Sequence, residues 1–403
     1  MVTLSNKRDK ARFVVTGATG LLGRNLMLEI IKKNYQKSPN FTLIILGRSS
    51  KSDELELRIK KILQEELFQY LGLENHDENL VDQVMQKNIK CIQLNLKVAE
   101  FSFTKADEKI LFEEETDILF HVASLTDFRH GKSIEEDLIK TNVNGTRNIV
   151  TLAAKMKLKK FSYVSSAYVC GIYSGRVSPD YINQDAIFRN PYEKTKLEAE
   201  LIVREFANKT GIKCDIFRPS TICGRLMEGK TGSTPKFDVF YGWAIFFIKS
   251  KIKISGNFEN DINMDLRFSA SNSSGLNIVP VDFAAKTMYM VSTSSHDSGS
   301  YHLVNRDETP HNFYFFEMLD AIGVKNVKML DQMPSDKNKL EDFYYKTVGK
   351  IFDPYINCPS MYFDTENLNQ IYEKFNLKCP KIDKQNFSLL MDYAKEKKFG
   401  LNF

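Results

Sequence analysis

Short apolar runs alternate with helix-like segments through the first half of the chain. The runs show little polar alternation, which is typical of strands covered on both faces, and strand-helix alternation predicts a parallel sheet. The sequence therefore predicts a doubly wound α/β fold. The predicted strands are 12–17, 42–48, 89–96, 117–123, 160–167 and 214–221. The predicted helices are 21–34, 53–71, 134–156 and 191–210.

The glycines after the first predicted strand form a turn that can hold a phosphate. In "VVTGATGLLGRNL" (14–26), Gly17, Gly20 and Gly23 stand three apart between an apolar and an amphipathic run. Glycines here let the backbone approach a pyrophosphate at the N-terminus of the next helix. The spacing differs from the G-x-G-x-x-G fingerprint. Its position between the first strand and the first helix nevertheless predicts a dinucleotide site.

The end of the second predicted strand indicates which dinucleotide binds. NAD sites usually place an Asp or Glu there to accept from the ribose 2′-hydroxyl. Here "LIILGRSS" offers Arg48 and Ser49, and Arg24 follows the glycine loop. Because guanidinium groups grip phosphate oxygens, we expect NADPH rather than NADH. The alternative interpretation is that both arginines only solvate the surface.

A tyrosine and a lysine share one helix face in "NPYEKTKLEAE". Tyr192 and Lys196 are four residues apart, and Asn190 is expected to cap their helix with Pro191 in its first turn. Free tyrosine has a pKa of about 10, which a neighbouring ammonium lowers. We therefore expect Tyr192 to donate a proton to a carbonyl oxygen.

A serine pair ends the fifth predicted strand, in "YVSSAYVCG", where a hydroxyl can hold the same carbonyl oxygen. Over roughly residues 11–305, "TGATGLLG", "NVNGT", this serine segment, "YEKTK" and "FRPSTICG" follow one another in a recognisable order. That order and spacing resemble the extended short-chain dehydrogenase/reductases (SDRs). The resemblance implies a Rossmann fold and a serine-tyrosine-lysine mechanism.

The resemblance also implies the role of each residue. It places the catalytic hydroxyl on Ser166, the acid on Tyr192 and the helper on Lys196, which also binds the nicotinamide ribose. Asn95 stands where many relatives carry an Asp beside the adenine. The complete set of predicted cofactor-binding residues is Gly17, Thr19, Gly20, Leu21, Leu22, Gly23, Arg24, Arg48, Ser49, Asn95, Leu96, Ala123, Ser124, Tyr192, Lys196, Pro219 and Ser220.

The regular alternation stops after residue 222. An aromatic, helix-like segment covers 237–249, and 275–292 predicts a strand followed by a helix that Asp282 caps. A further strand is predicted over 300–305. The expected domains are 1–226, an NADP-binding Rossmann domain completed by segments near 275–305, and 227–403, a smaller and mostly helical substrate lobe.

Several further segments resemble the thioester reductases and fatty acyl-CoA reductases within that superfamily. They are "GLLGRNL", the insert "SDELELRIKKILQEEL", "HVASLTDF", "FDVFYGW" and the tail "YFDTENLNQIYEKF". This nearer resemblance implies that NADPH reduces an acyl thioester to an aldehyde or alcohol. The acyl group would be carried by coenzyme A or by a carrier protein supplied in trans.

Two groups of residues in the second half have competing interpretations. Lys249, Lys251 and Lys253 could meet phosphates of coenzyme A or an acidic carrier protein, although a solvated strand face is the commoner explanation. An aromatic group could line an acyl tunnel, although such runs more often form plain core. Its members are Phe237, Phe240, Tyr241, Trp243, Phe246 and Phe247.

Other functions are compatible with the same fold. An NAD-dependent sugar-nucleotide epimerase or dehydratase is one alternative, and Arg24 and Arg48 count against it. A steroid or small-carbonyl dehydrogenase is permitted equally by the serine, tyrosine and lysine. A non-catalytic dinucleotide-binding sensor would be favoured by loss of the tyrosine or lysine, yet both are present.

Composition excludes several classes. The 56 Lys and Arg exceed 51 Asp and Glu by only five, which argues against a nucleic-acid binder. The opening "MVTLSNKRDKAR" lacks the apolar core of a secretory signal, and "VFYGWAIFFI" is too short to span a membrane. We therefore expect a cytoplasmic protein. No metal site is predicted, because the cysteines lack ligand spacing and the histidines are isolated: His76, His121, His130, His296, His302 and His311.

Overall fold

The apolar runs of the first half become strands buried on both faces. The computed structural model describes residues 10–35, 40–50, 52–74, 77–229 and 231–402, with Glu78 described by its backbone only. Predictions on residues 1–9 and His76 lie outside this part. The strands are β1 (Ala11–Thr16), β2 (Phe41–Gly47), β3 (Ile89–Gln93), β4 (Thr116–His121), β5 (Leu158–Val164), β6 (Gly175–Val177), β7 (Lys213–Pro219), β8 (Thr221–Cys223), β9 (Ile262–Ser269), β10 (Gly275–Leu276), β11 (Ile278–Pro280), β12 (Gly299–Leu303), β13 (Thr309–Pro310), β14 (Val324–Leu330) and β15 (Met361–Phe363).

Helices connect these strands. They are α1 (Leu21–Tyr35), α2 (Leu55–Leu71), α3 (Glu78–Asn88), α4 (Lys105–Glu108), α5 (Lys132–Leu138), α6 (Gly145–Lys155), α7 (Pro191–Thr210), α8 (Phe240–Ser255), α9 (Val281–Ser292), α10 (His311–Ala321), α11 (Lys339–Lys346), α12 (Val348–Ile356), α13 (Asn369–Lys374) and α14 (Lys384–Glu396). Single π-helical or 3₁₀ turns cover Lys109–Glu113, Ile139–Asn144, Ala167–Cys170, Glu366–Leu368 and Lys398–Gly400.

Seven parallel strands form the central sheet, in the order β12-β7-β5-β4-β1-β2-β3. Helices α1, α2, α3 and α9 contribute to the apolar core on one face, and α6 and α7 to the core on the other. The chain crosses from one side of β1 to the other, so β1 lies between β2 and β4. In doubly wound sheets, ligands bind outside the carboxyl ends of the strands at this reversal. The predicted fold class is confirmed.

The element bounds lie close to the predicted ones, but two strands end three residues early. The strand predicted over 160–167 ends at Val164, so the serine pair follows this strand instead of ending it. Helix α7 has its predicted bounds, and Asn190 caps it by accepting from the Glu193 amide at 3.1 Å. The strand predicted over 89–96 ends at Gln93, because the chain turns where the Asn95 side chain accepts from the Lys97 amide. Helix α3 was not predicted.

Asp282 does not cap α9, so this prediction is wrong. The residue preceding α9 is Pro280, and Asp282 lies inside the first turn. Its buried carboxylate instead accepts from the backbone amides of Leu226, Met227 and Glu228. Four backbone donors, including the Phe283 amide, compensate for removing the carboxylate from water. Asp282 thus fastens the segment after β8 to the sheet domain.

The second half of the chain contributes to both halves of the molecule. Strand β12 extends the central sheet beside β7, and α9 packs into the core that contains α1. A separate apolar core joins α8, α10, α11, α12 and α14 with the parallel pair β9 and β14. This lobe is mostly helical, as predicted, but it contains a two-stranded sheet. No helix in the described ranges combines the length and hydrophobicity needed to cross a bilayer.

Candidate active site

A cavity of about 630 Å³ opens at the carboxyl ends of β1, β2, β4, β5 and β7. It lies where the strand order reverses, as the fold requires of a ligand site. The predicted residues that line it are Gly17, Thr19, Gly20, Leu21, Leu22, Gly23, Arg48, Asn95, Leu96, Ala123, Ser124, Ser166, Tyr192, Pro219 and Ser220. The side chains of Arg24, Ser49 and Lys196 are not part of this lining.

The three positions in the loop are glycine for different structural reasons. Gly17 has φ +78°, and a Cβ there would lie 2.7 Å from the Ala123 amide nitrogen. A Cβ on Gly23 would lie 2.1 Å from the Gly17 carbonyl oxygen. Gly20 is different, because a Cβ would approach its closest protein atom only to 3.4 Å. Packing within the chain therefore requires glycine at Gly17 and Gly23. Gly20 is exposed and has no such close contact, so a bound ligand is the reason we infer for glycine at this position.

Hydrogen bonds from one threonine join the glycine loop to the turn after β4. Thr16 Oγ1 accepts from the amides of Val122 and Ala123, each at 3.2 Å, and contacts His121 Nδ1 at 2.8 Å. The other ring nitrogen of His121 lies 3.1 Å from Thr146 Oγ1. Burial lowers the pKa of His121 to about 3, so the ring is neutral at physiological pH. His121 is a core histidine that fixes the floor of the cavity.

The two arginines predicted to select the dinucleotide lie in different surroundings. Arg48 is exposed and lines the cavity at the end of β2. Arg58, which the sequence reasoning missed, also lines it and donates to the Arg48 carbonyl oxygen at 2.8 Å. Arg24 instead forms an ion pair with Glu66 at 2.7 Å. Ser49 Oγ accepts from the side-chain amide of Gln93 at 2.6 Å.

Tyr192 lines the cavity next to two residues that the sequence reasoning missed. Its hydroxyl hydrogen-bonds with Thr126, and the ring of Phe128 packs edge-on against it with centroids 5.4 Å apart. Burial raises the pKa of Tyr192 to about 12, so the predicted lowering of this pKa is wrong in this structure. Tyr192 therefore carries its proton at neutral pH, as a proton donor must.

Lys196 lies behind the cavity wall. Its Nζ donates to the Tyr163 hydroxyl at 3.0 Å and to the Val164 carbonyl oxygen at 2.5 Å. Burial lowers the pKa of Lys196 to about 7, with Glu200 acting in the opposite direction. The ammonium that was expected to act on Tyr192 is therefore turned toward β5 and loses much of its charge near neutral pH.

Ser165 and Ser166 have different hydrogen-bond partners and therefore different roles. Ser165 Oγ donates to Glu200 at 2.6 Å, and Glu200 also pairs with the buried guanidinium of Arg218 at 2.7 Å. Ser166 Oγ accepts from the Tyr168 amide at 3.2 Å. Because this bond leaves its own proton free, Ser166 is the serine that can donate to a ligand. The structure brings Ser166 and Tyr192 together in one cavity.

A buried asparagine from the "NVNGT" segment supports the Tyr192 side of the cavity. Asn142 exchanges two hydrogen bonds with the backbone of Leu125, at 2.8 and 2.9 Å. Its side-chain nitrogen also lies 3.2 Å from Thr195 Oγ1 on α7. Asn142 thereby fixes the turn that carries Thr126 and Phe128 against the helix that carries Tyr192. Only the order of motifs in the sequence pointed to this role.

The aromatic segment is mainly core. Phe240, Trp243 and Phe247 are buried in the second lobe, whereas Tyr241 lines the cavity. The expected strand face of lysines is wrong, because this segment forms helix α8. Lys251 is buried and donates to the Ile322 carbonyl oxygen at 2.7 Å, while Lys249 and Lys253 are exposed. No group of three His, Cys, Asp or Glu able to hold a metal ion occurs in the described part of the chain.

These features fit a dinucleotide. Exposed Gly20 leaves space beside the N-terminus of α1, and arginines stand where the second strand ends. The fold and site define an NAD(P)-dependent reductase or dehydrogenase of the extended SDR type. The chain belongs to the family described as "Male sterility protein", which matches residues 15–288.

Curated relatives cover different shares of the chain. One of the chains of the linear gramicidin synthase of Brevibacillus parabrevis is 25% identical over 397 residues, which are 94% of this chain and 7% of that protein. Fatty acyl-CoA reductase 1 of Mus musculus is 26% identical over 313 residues, which are 71% of this chain and 55% of the reductase. The chain thus spans a small part of the synthase and about half of the reductase.

Solved structures share the fold. The terminal R domain from the myxalamid PKS-NRPS biosynthetic pathway has a TM-score of 0.71 and 22% identity, covering 96% of this chain and 91% of its own. UDP-glucuronic acid 4-epimerase from Bacillus cereus in complex with NAD has a TM-score of 0.60 and 15% identity, covering 96% of this chain and 99% of its own. The same fold therefore occurs in proteins with different activities.

Proposed function

We propose that the chain reduces an acyl thioester with NADPH, using Ser166, Tyr192 and Lys196. The observation that carries the proposal is the meeting of the Ser166 and Tyr192 side chains with the glycine loop and Arg48 in one cavity. A carbonyl group held by the two hydroxyls would lie in the cavity that also receives the dinucleotide. Residues 1–226 would serve mainly the cofactor, and 227–403 the substrate.

The choice of NADPH rests on charge at the end of β2. Arg48 and Arg58 both line the cavity there, and the carboxylate of nearby Asp53 is paired with Lys61 at 2.8 Å. Two cations favour a 2′-phosphate, whereas an NAD site usually presents a free carboxylate to the 2′-hydroxyl. Arg58 takes the place beside Arg48 that the sequence pattern had assigned to Arg24.

The residues of the chain have separable roles in this mechanism. NADPH, when bound, would supply the hydride that reduces the thioester carbon. Ser166 and Tyr192 donate hydrogen bonds to the carbonyl oxygen, where negative charge develops, and Tyr192 passes its proton to that oxygen. Lys196 holds the end of β5 through the Val164 carbonyl oxygen. To bind the nicotinamide ribose, as the family resemblance implies, its Nζ would have to turn from these partners toward the cavity. Phe128 and Thr126 keep the Tyr192 ring and hydroxyl in place.

The thioester substrate is supported by the relatives. Their names include a fatty acyl-CoA reductase and a peptide synthase, and the solved neighbours include R domains of synthases. Collapse of the hemithioacetal would release the thiol, so that one acyl thioester, one NADPH and one proton give an aldehyde, a thiol and NADP⁺. A second NADPH and proton would reduce the aldehyde to an alcohol.

The test is to measure cofactor oxidation and thiol release together. Purified protein is supplied with NADPH or NADH and with acyl-CoAs, aldehydes or simple ketones. We expect NADPH oxidation with acyl-CoA and an equal or half-equal amount of free thiol. Oxidation with aldehydes or ketones alone would reject the thioester. A protein that retains NAD through purification and converts a sugar nucleotide would be an epimerase or dehydratase instead.

A further inference from the structure

A second cavity, of about 640 Å³, lies in the C-terminal lobe between α8, α11 and α12. Five basic side chains line it, and its lining contains no carboxylate. The cations are Arg129, Lys249, Lys253, Lys346 and Lys350. Such a one-signed cavity raises the local concentration of anions.

Three of these cations are not neutralised within the protein. Arg129 pairs with Asp127 at 2.7 Å and Lys346 with Asp342 at 2.8 Å. Across the described ranges, no carboxylate lies within ion-pair distance of Lys249, Lys253 or Lys350. Lys249 and Lys253 are also four residues apart on α8, where like charges repel one another. A ligand that carries several negative charges would relieve this repulsion.

The floor of the second cavity is apolar and aromatic. Phe246 and Phe343 pack with centroids 5.7 Å apart and an interplanar angle of 30°. Phe343 is 55% exposed, so part of its ring remains available to a ligand. An exposed aromatic ring can stack a purine base. Cations that can hold phosphates, beside a ring that can stack a planar base, are the features that bind a phosphorylated nucleotide.

The second cavity adjoins the first through aromatic rings. Phe352 lines the second cavity and lies 6.2 Å, centroid to centroid, from Phe128. Phe128 lines the first cavity and is the ring that packs on Tyr192. These packed rings form the boundary between the cavities, and a ligand that occupied both would have to run along them to reach Tyr192.

We propose that this second cavity binds the phosphorylated nucleotide half of a coenzyme A thioester, which places the thioester end at Tyr192. The inference rests on the proposed function and names the thiol carrier. The concave shape and the exposed ring favour a nucleotide over the acidic surface of a carrier protein, because a folded surface cannot insert a planar base. The site is separate from the first cavity, where NADPH would lie.

The test is calorimetric titration of adenosine 3′,5′-bisphosphate, coenzyme A and pantetheine into the full chain saturated with NADPH. Saturation fills the first nucleotide site, so that added heat reports the second. Lys253→Gln/Lys350→Gln removes two cations that have no ion-pair partner in the part of the chain described, and Phe343→Ala removes an exposed ring. Lys87→Gln/Lys90→Gln, at exposed lysines that line neither cavity, is the control with the same charge change.

We expect coenzyme A and the bisphosphate to bind and pantetheine to bind far more weakly. The double variant should raise the Kd of coenzyme A by about fivefold or more, and added salt should weaken binding to the unaltered protein. Equal affinity for coenzyme A in the double variant and the control would overturn the inference. The inference would also be overturned if the double variant weakened the binding of an acyl carrier protein and left the binding of coenzyme A unchanged.

The two proposals can fail separately. Reduction of an acyl-pantetheine thioester with the same KM as the acyl-CoA would overturn the inference and leave the proposed reductase intact. Binding of the bisphosphate that depends on Lys253 and Lys350, without reduction of any thioester, would support the second site and contradict the proposed function.

Discussion

The two cavities have nearly equal volumes, about 630 and 640 Å³, but they are built differently. The first is formed by strand ends, a glycine loop and turns fastened by buried hydrogen bonds. The second is formed mainly by side chains of α8, α11 and α12, with Arg129 and His130 from the segment before α5. Backbone-built sites are rigid and leave glycine spacing in the sequence, whereas a site built from lysines on helices resembles an ordinary solvated surface.

The largest expected effect tests whether chemistry belongs to the first cavity. Tyr192→Phe should lower kcat for thioester reduction by about 10²–10⁴-fold, because it removes the proton donor and leaves the ring packed on Phe128. NADPH affinity should change little. Tyr173→Phe, at a tyrosine that lines neither cavity, is the matched control. Full activity in Tyr192→Phe would mean that the proton comes from elsewhere.

The glycine loop offers a comparison within the first cavity. Gly23→Ala should lower the free energy of unfolding by about 1–3 kcal/mol, because its Cβ would meet the Gly17 carbonyl oxygen. Gly20→Ala should leave the unfolding midpoint unchanged and raise the Kd of NADPH about tenfold, because its methyl group would enter the space for the pyrophosphate. Unchanged NADPH affinity in a folded Gly20→Ala protein would contradict the cofactor site.

Arg48 and Arg24 allow a second comparison, because one should affect cofactor binding and the other the stability of the fold. Arg48→Gln should raise the Kd of NADPH about tenfold and leave that of NADH unchanged, because only NADPH carries the 2′-phosphate. Arg24→Gln should lower the free energy of unfolding by about 1.5 kcal/mol, since Glu66 would lose this partner and keep Arg225. Selectivity lost in Arg24→Gln alone would restore the sequence-based assignment of Arg24.

The smallest expected effect is the loss of stability at acid pH that is due to His121. Folded His121 has a pKa near 3, against 6.5 for an unperturbed histidine, so the unfolded chain binds its proton first. Its contribution to stability should therefore fall by about 1 kcal/mol between pH 6.5 and 5.5. Urea unfolding at both pH values should show a smaller fall in His121→Asn. His130→Asn, at an exposed histidine of the second cavity, should leave the fall unchanged.

The sequence predicted the first cavity well because the signals there are local. Glycine spacing, the cap at Asn190 and the four-residue step from Tyr192 to Lys196 are properties of a turn and a helix. Together with the resemblance to the extended SDRs, which supplied residues such as Ser166, Ala123 and Pro219, these signals account for the fifteen predicted residues that line one space. They did not show that Arg24 pairs with Glu66, because that partner comes from a helix forty-two residues later.

The errors share a physical reason, which is tertiary context. Asp282 matched the pattern of a helix cap, but backbone donors near Met227 reach it first. The predicted effect of Lys196 on the Tyr192 pKa assumed that the ammonium turns toward the tyrosine, whereas the Val164 carbonyl oxygen holds it. The second cavity depends on three helices meeting, and no motif in the sequence encodes that meeting.

The most direct test follows a labelled hydride. Protein is incubated with acyl-CoA and NADPH that carries deuterium at the transferable position, and the product is analysed by mass spectrometry. The account predicts one deuterium on the former carbonyl carbon of an aldehyde, or two on an alcohol, with release of free coenzyme A and almost none of this with Tyr192→Phe. Unlabelled product, or labelled NADPH that is consumed while the thioester stays intact, would contradict it.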